Sequence, residues 1–461
     1  MLKKISLLTL FCLLLTGSAS QSAAEDPAKL NLPEAFEARV LLEGLDSPWA
    51  IVWGPNQKLW ITERQGKRIT EVDPANGQKT VLGTINEIHV GPQHEGLLGL
   101  ALAPDFDKSG HVYVSYTYLD GAAEKHKVAR LTYDSKNKNL GQPLDILTGI
   151  PAGDDHQGGR LIFGPDGFLY LSKGELGHNQ GLNRCKPNEA QRLPTAAEVA
   201  AKDWSAYVGK ILRMAPDGSI PADNPVLEGV KSHIFSYGHR NPQGLVFVGG
   251  QLFEVEHGPS TDDEVNRLEA GGNYGWPLVA GFIDDQSYAF IDWSRIEGCS
   301  KVAADVYLPG NVPQSKESDF KAPNFKAPLK TFYTVPNGFG FADPKFDPVF
   351  YLGNATIGPS SVAYYPEDGP IKAWRNSLLI GALKNGAIYW APLSSDKMYA
   401  QGDGGKYFRS QNRYRDVLVA PDGRSIYVIT DRDGQVIGED GRPSQNMKNP
   451  GAVLVFTYQG E

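Results

Sequence analysis

Cysteine and methionine are scarce in this chain, with three and four residues among 461. So few cysteines exclude a disulfide-dense scaffold and a cysteine-built zinc module. Cys12 lies in an N-terminal apolar run, which leaves Cys185 and Cys299; export would permit them to pair, but composition leaves the pairing open. An excess of positive charge is also missing. Acidic residues outnumber Lys and Arg by 53 to 45, for a formal net charge of −8, which is no footprint for nucleic acid or an anionic membrane. No apolar run reaches the ~20 residues needed to span a bilayer. There is no Gly-rich dinucleotide fingerprint, no P-loop and no G-x-S-x-G elbow. Sustained helical periodicity is rare.

The N-terminus has Lys3 and Lys4, an apolar run over 5–16, then small residues through Ala24. That is the pattern of a secretory signal peptide spanning 1–24, with cleavage after Ala24. No lipobox surrounds Cys12. The mature chain, 25–461, is therefore expected in a bacterial periplasm, where soluble nicotinamide cofactors are not supplied. Redox work there would call for a tightly bound prosthetic group.

Glycine (51) and proline (32) are abundant, so turns must be frequent. One shape recurs: a turn, then a strand rich in β-branched and aromatic residues. It appears at Gly54-Pro55-Asn56 before Leu59-Trp60-Ile61-Thr62, and at Pro165-Asp166-Gly167 before Leu169-Tyr170-Leu171-Ser172. It returns at Gly249-Gly250 before Leu252-Phe253-Glu254-Val255, and at Pro421-Asp422-Gly423 before Ile426-Tyr427-Val428-Ile429. Spread over the whole mature chain without a linker, the repeat predicts an all-β protein. The expected fold is a six-bladed β-propeller, one catalytic domain over 25–461, with long inter-strand loops near 178–206 and 283–325. Two packed sandwiches are the alternative, and the full-length spread of the repeat and the lack of a linker argue against them.

The stretch Gly153-Asp154-Asp155-His156-Gln157-Gly158-Gly159-Arg160 places an imidazole beside two acids, glycines and a cation. A neutral imidazole takes a proton near pH 7, and a neighbouring carboxylate orients it. On its own the octapeptide reads better as an ordinary polar loop with a surface histidine. Arg413 and Arg415, two apart, can share a side of a strand; with Arg240 and Lys384 they suit a small polycarboxylate, although solvated arginines would look the same. Asp262, Asp263 and Glu264 beside Gly258-Pro259 offer oxygens to a hard cation or form a plain acidic turn. His239 and His257 make no zinc pattern.

Taken together, these clusters resemble the soluble periplasmic quinoprotein glucose dehydrogenases, which use pyrroloquinoline quinone (PQQ). The likeness runs in order through the mature chain. It is most specific at Asp155-His156-Gln157 with Gly159-Arg160, at 207–224, from Gly238-His239-Arg240-Asn241-Pro242-Gln243-Gly244 to Trp276-Pro277, and at Asn412-Arg413-Tyr414-Arg415-Asp416-Val417. The resemblance implies a propeller holding PQQ and calcium in one face. It implies oxidation of an aldose at its C1 hydroxyl to the lactone, with electrons passed to a soluble or membrane acceptor. A homodimer is the family precedent. His156 would be the general base, Glu175 its orienting acid, and Arg240 the group that stabilises negative charge on the cofactor. Asn241, Lys384, Arg413 and Arg415 would hold PQQ, with His94, Asp155, Tyr351, Thr356 and Asp431 around it. The Gly258 and Pro259 carbonyls would bind its calcium. Glu264, Tyr274, Ala280, Phe282, Asp284 and Glu317 match structural calcium positions, some through backbone oxygen.

The chain departs from the family pattern at three places. Glu175 stands where the family has an aspartate. The glutamine before Gly96-Leu97-Leu98-Gly99 falls on Gln93 or His94, followed by Glu95. A substrate-side tryptophan is replaced near Asn354. A broad-specificity alcohol or aldose dehydrogenase of the same fold and a non-catalytic sugar-binding propeller are the alternatives.

Overall fold

The turn–strand repeat builds six small antiparallel sheets in this computed structural model, which describes residues 35–301, 312–384, 386–397, 400 and 404–460. The expected signal peptide lies outside the described residues. Among them, no helix is long and apolar enough to cross a membrane. Each sheet is a blade whose first strand is innermost. These inner strands are Pro48–Trp53, Leu97–Leu102, Gly158–Phe163, Pro242–Val248, Pro359–Tyr365 and Tyr414–Val419, for blades 1 to 6. Each contacts the inner strands on either side, closing a ring. The N-terminal strand Phe36–Leu42 pairs with Val453–Tyr458 and completes blade 6, so the two ends of the chain lock the circle. The architecture is the expected six-bladed β-propeller.

Second strands run antiparallel to the inner ones, so the start of one lies beside the end of the other. The register shows it: Pro48 faces Glu63, Gly158 faces Lys173, Pro242 faces Glu256, Pro359 faces Ala382 and Tyr414 faces Thr430. At that same end every inner strand carries a register shift, for example Gly158/Leu161, Pro242/Gly244 and Tyr414/Asp416. Such bulges bend a strand and re-aim its side chains. Loops entering the inner strands and loops leaving the second strands therefore converge on one face.

Two long insertions rise from blades 3 and 4, between Leu169–Lys173 and Lys210–Met214 and between Asp263–Leu268 and Lys330–Phe332. A disulfide between Cys185 and Cys299 joins them. Asn179 adds two bonds to the same join, donating to the Ile291 carbonyl (2.7 Å) and accepting from the Trp293 amide (2.8 Å).

Arg160 sits at the hub. From blade 3 it donates to the Gln243 carbonyl of blade 4 (3.0 Å), the Ser360 carbonyl of blade 5 (3.2 Å) and the Asp416 carboxylate of blade 6 (2.7 Å). Its guanidinium also lies over the Trp49 ring of blade 1, 4.5 Å from the centroid. Asp416 in turn accepts from the Ile51 amide at 3.0 Å. The cation of the catalytic-looking octapeptide is thus a structural tie. Removing one partner strands the other charge in a buried site, so Arg160→Ala should lower unfolding free energy by about 3–5 kcal/mol. Denaturant melts of the wild type and variant test this; a loss under about 1 kcal/mol, the level of an exposed pair, would show that the hub is not stabilising.

Candidate active site

The backbone around His156 is unusual for its residue type. His156 has φ +39° and precedes Gly158 (+63°) and Gly159 (+100°). A non-glycine residue in the left-handed region is held there by its surroundings, and such residues cluster at functional sites. Across from it, Gly174 lies so close to the His156 carbonyl that any side chain there would collide. That approach brings the next residue, Glu175, beneath the ring. His156 Nδ1 lies 2.6 Å from Glu175 Oε1, and Glu175 is fully buried. The carboxylate accepts, so Nδ1 carries a hydrogen and Nε2 is the nitrogen left to exchange a proton. Asp155 Oδ1 lies 3.5 Å from that Nε2 and accepts from the His156 amide at 2.8 Å. Burial pushes Asp155 up, but the charges of His156, His94 and Arg240 outweigh this and leave it below the usual carboxylate range.

Gln180, from the blade 3 insertion, extends the pair into a network. Its Nε2 donates to Glu175 Oε1 (3.0 Å), while its Oε1 accepts from Arg240 at 2.6 and 3.1 Å. Arg240 also donates to the His257 carbonyl (3.2 Å) and lies over the Trp276 ring, 5.3 Å from the centroid. These acceptors are neutral, so none of its hydrogen bonds neutralises its charge, and the nearby Asp155 carboxylate feels it. Beside it, buried Asn241 has an amide nitrogen with no hydrogen-bond partner among the described residues.

On the far side, Arg413 and Arg415 share Asp431. Arg415 grips it with two bonds, 2.7 and 2.8 Å, and Arg413 with one of 3.0 Å. Burial pushes Asp431 up, but Arg415 and Arg413 hold it down at about 2. Two cations to one anion leave a net positive pocket. Lys384 donates to the Asn354 carbonyl and to Thr356 Oγ1 (3.2 Å). Burial lowers Lys384 and raises Asp263, and each charge eases the other. Tyr351 lies half exposed, close enough to Arg413 to feel its charge.

One residue reports that these groups share a single space. His257 is pushed well down by burial, and Arg240, His156, Arg415 and His94 all push the same way. His94 is likewise pushed down, by the protein around it and by His156, Arg415 and Arg64, with Asp155 opposing. The structure thus brings together His94, Asp155, His156, Glu175, Arg240, Asn241, Arg413, Arg415 and Asp431, from blades 2, 3, 4 and 6. Arg64 and Gln180 belong to the same setting and escaped the sequence analysis, and they are joined there by His257, read only as no zinc ligand, and by Asp263, read as an oxygen donor for a hard cation. Arg64 follows the second strand of blade 1 directly, as Asp431 does in blade 6, and that shared position was the available signal.

Asp263 fixes the loop between Gly258 and Thr261. It accepts from the Gly258 amide (2.8 Å) and from the Ile357 and Gly358 amides (2.6 and 2.7 Å). No described residue donates to the Gly258 or Pro259 carbonyls, so both remain available to a cation. Glu264 and Glu317 meet around residues 280–285: Glu264 accepts from Gly281 N (2.7 Å), and Glu317 from Ala280 N (3.0 Å) and Asp285 N (2.9 Å). Burial, with Glu256 and Asp262, pushes Glu264 well up. Burial pushes Glu317 up to about 7, with the three loop amides opposing and Asp284 adding. Buried carboxylates raised in this way suit a hard cation among oxygen donors. The Tyr274 hydroxyl is engaged by Arg267 and Glu269, which leaves its backbone oxygen free for that role. Phe282 and Asp284 are exposed on the same loop.

Beneath Gly174, buried Lys173 donates to Gln157 Oε1 (2.6 Å), and burial pushes it down to about 7. An unfolded lysine keeps its proton to about pH 10.4, so between pH 7 and there the unfolded state binds more protons and stability rises with pH. Lys173→Met should remove up to about 1.4 kcal/mol of that slope per pH unit. Parallel stability curves for wild type and variant from pH 6.5 to 9.5 would refute the assignment.

Comparison with known proteins gives the family. A family profile described as Glucose / Sorbosone dehydrogenase matches residues 45–304 and 335–438. The chain is 41% identical to quinoprotein glucose dehydrogenase B of Acinetobacter calcoaceticus over 441 residues, covering 93% of this chain and 92% of that protein. It superposes on the PQQ-bound aldose sugar dehydrogenase of Streptomyces coelicolor with a TM-score of 0.62 and 27% identity, over 92% of this chain and 99% of the other. The apo form of the soluble aldose sugar dehydrogenase of Escherichia coli gives 0.64 and 26%, with the same coverage.

Proposed function

The chain belongs to the glucose/sorbosone dehydrogenase family, and from that premise we propose that it is a periplasmic, PQQ- and calcium-dependent aldose dehydrogenase. It oxidises the C1 hydroxyl of a glucose-like sugar to the lactone and passes electrons to an external acceptor. The observation that carries the reading is the His156 imidazole, oriented at 2.6 Å by a buried carboxylate, with Arg240 beside it hydrogen-bonded only to neutral acceptors.

The residues fit the cofactor. A compact tricarboxylate suits the net positive Arg413–Arg415–Asp431 group, and the orphaned Asn241 amide is a donor in want of an acceptor. Arg240, Asn241, Lys384, Arg413 and Arg415 would hold PQQ, with His94, Asp155, Tyr351, Thr356 and Asp431 lining the same mouth. The free Gly258 and Pro259 carbonyls would take its calcium. When bound, PQQ supplies the two-electron acceptor that amino-acid side chains lack.

The protein's own part is to place and protonate. His156 Nε2 takes the sugar hydroxyl proton, and Glu175 both fixes the tautomer and stabilises the imidazolium that forms. Gln180 holds Glu175 and Arg240 in register, so base and cation keep a constant spacing. Arg240 offers preorganised positive charge to an anion developing in the pocket.

Reconstitution with PQQ and calcium, followed by dye reduction with a panel of aldoses, tests the reading. The PQQ absorbance should change on binding and bleach with sugar; no change on adding PQQ would sink it. His156→Ala should retain PQQ and lower kcat by roughly 10²-fold or more. A kcat within about tenfold of the wild type with PQQ bound would show that the base is misassigned. Glu175→Gln should lower kcat with little change in KM, because it perturbs the base and leaves sugar contacts in place. A pure KM effect would move Glu175 to substrate binding. Chelation of the apo-protein should lower Tm, and calcium should restore it, through the buried Glu264 and Glu317. An unchanged Tm in chelator would remove calcium from the 280–285 loop.

A further inference from the structure

Beside His94, blade 2 carries a second cluster of ligand-type groups. His89, Glu95 and Glu124 each present one nitrogen or oxygen, and these three atoms all lie within 4.8 Å of one another. They come from three separate segments fixed by backbone bonds. His89 follows the bridge between Ile88 and Tyr118, its amide donates to the Thr117 carbonyl (2.8 Å), and its carbonyl accepts from Thr117 Oγ1 (2.7 Å). Glu124 lies on the neighbouring strand Ala123–Asp134, opposite Leu119 in the hairpin register. Glu95 stands at the entry to the inner strand, where the next amide, Gly96 N, donates to the same Thr117 hydroxyl at 2.8 Å.

Glu95 is the odd member. It is fully buried, and one oxygen, Oε2, accepts from the Gln93 and His94 amides (3.2 and 2.8 Å). The other oxygen, Oε1, is buried without a hydrogen-bond partner among the described residues. It packs so tightly on Gly91 that no side chain fits there. Arg64, the cation at hand, donates to Glu95's main-chain carbonyl (3.0 Å). An orphaned carboxylate oxygen in a protein interior costs free energy unless something binds it. His89 and Glu124 provide the rest of a ligand set, with the His89 and Glu124 side chains 25% and 33% exposed, so an ion has a way in.

We propose that His89, Glu95 Oε1 and Glu124 bind one divalent first-row transition-metal ion, with zinc the best match. An imidazole with two carboxylates and open positions is a borderline donor set, whereas calcium prefers oxygen throughout. His89 Nε2 and Glu124 Oε1 are 3.4 Å apart, close to the edge of roughly 3.3 Å expected between ligands of a tetrahedral zinc with bonds of about 2 Å. The site is separate from the Gly258–Pro259 and Glu264–Glu317 groups and does not rest on the proposed activity. It does reach the active site through Glu95. A metal on Oε1 would stiffen the carboxylate whose other oxygen holds the His94 amide, and His94 Nδ1 lies 3.9 Å from Asp155.

The test uses the full mature chain, kept in excess calcium and titrated with zinc by calorimetry. One saturable zinc per chain is expected. His89→Ala and Glu124→Gln, at partly exposed positions, should each weaken binding at least about tenfold while leaving the melting curve of the metal-free chain in place. Hydrogen exchange supplies the second readout: zinc should slow exchange over residues 91–96 in the wild type and leave it unchanged in His89→Ala. Absence of saturable binding overturns the proposal. So does zinc affinity that survives both substitutions, which would place the ion elsewhere on the chain. Competition by calcium at equal concentration would also overturn it, by making this a hard-cation site.

Discussion

The whole arrangement depends on how a ring of six sheets is tied across its own axis, and here a single guanidinium makes the tie. Arg160 belongs to blade 3, bonds blades 4, 5 and 6 and stacks on a tryptophan of blade 1. Inner strands of a propeller need such cross-links because each blade's own hydrogen bonds run within the blade. Hydroxyls make further ties. Thr62 of blade 1 donates to the Leu98 carbonyl of blade 2 (2.8 Å), Ser115 of blade 2 to the Gly159 carbonyl of blade 3 (2.7 Å), and Ser360 of blade 5 to the Tyr414 carbonyl of blade 6 (2.6 Å). The carbonyls that accept belong to the stretches where the inner strands bulge. The irregularity that aims side chains at the site thus also frees the backbone groups that join the blades.

This coupling explains why the site lies where it does. A bulge at the start of each inner strand turns the preceding residue towards the axis, and in blades 3, 4 and 6 those residues are His156, Arg240 with Asn241, and Arg413. The end of each second strand lies alongside and contributes Arg64, Glu175, His257, Lys384 and Asp431. Basic and acidic groups then face one another across a short distance in a walled space, where charges act more strongly than in water. The depressed His257 and Asp431 and the eased Lys384–Asp263 pair are three readings of that one field.

The sequence made the repeat legible because turn chemistry and strand composition are local. Pro-Asp-Gly followed by Leu-Tyr-Leu-Ser announces a second strand wherever it occurs. The octapeptide around His156 and the Arg413–Arg415 pair were legible for the same reason, since their residues are adjacent. What escaped depends on closure. Arg160 sat in plain view and looked like part of the chemistry, because nothing local says that its partner is Asp416, more than two hundred residues away. Gln180 lies in an insertion without periodicity, and only folding brings it between Glu175 and Arg240. The Cys185–Cys299 bond stayed open for the same cause: its partners are set by two loops that meet above the ring. Arg64 was the avoidable miss, because the end of its strand is equivalent to positions that were recognised in other blades.

A glutamate at 175, where the family resemblance implies an aspartate, need not loosen the proposed base. A longer side chain reaches the same imidazole only if its backbone starts farther away or its path is bent. Gly174, packed against the His156 carbonyl, fixes the starting point, and the bond to the ring closes at 2.6 Å. The extra methylene has rotamer freedom to lose, and Gln180 restrains it by donating to the same oxygen, Oε1. The second oxygen, Oε2, is buried without a partner among the described residues, so there is no competing acceptor geometry to draw the carboxylate away. The substitution therefore shifts the restraint from the length of the acid to the insertion that carries Gln180. That insertion is anchored by the disulfide and by Asn179, so orientation of the His156 imidazole depends on a loop tie that lies outside the propeller core.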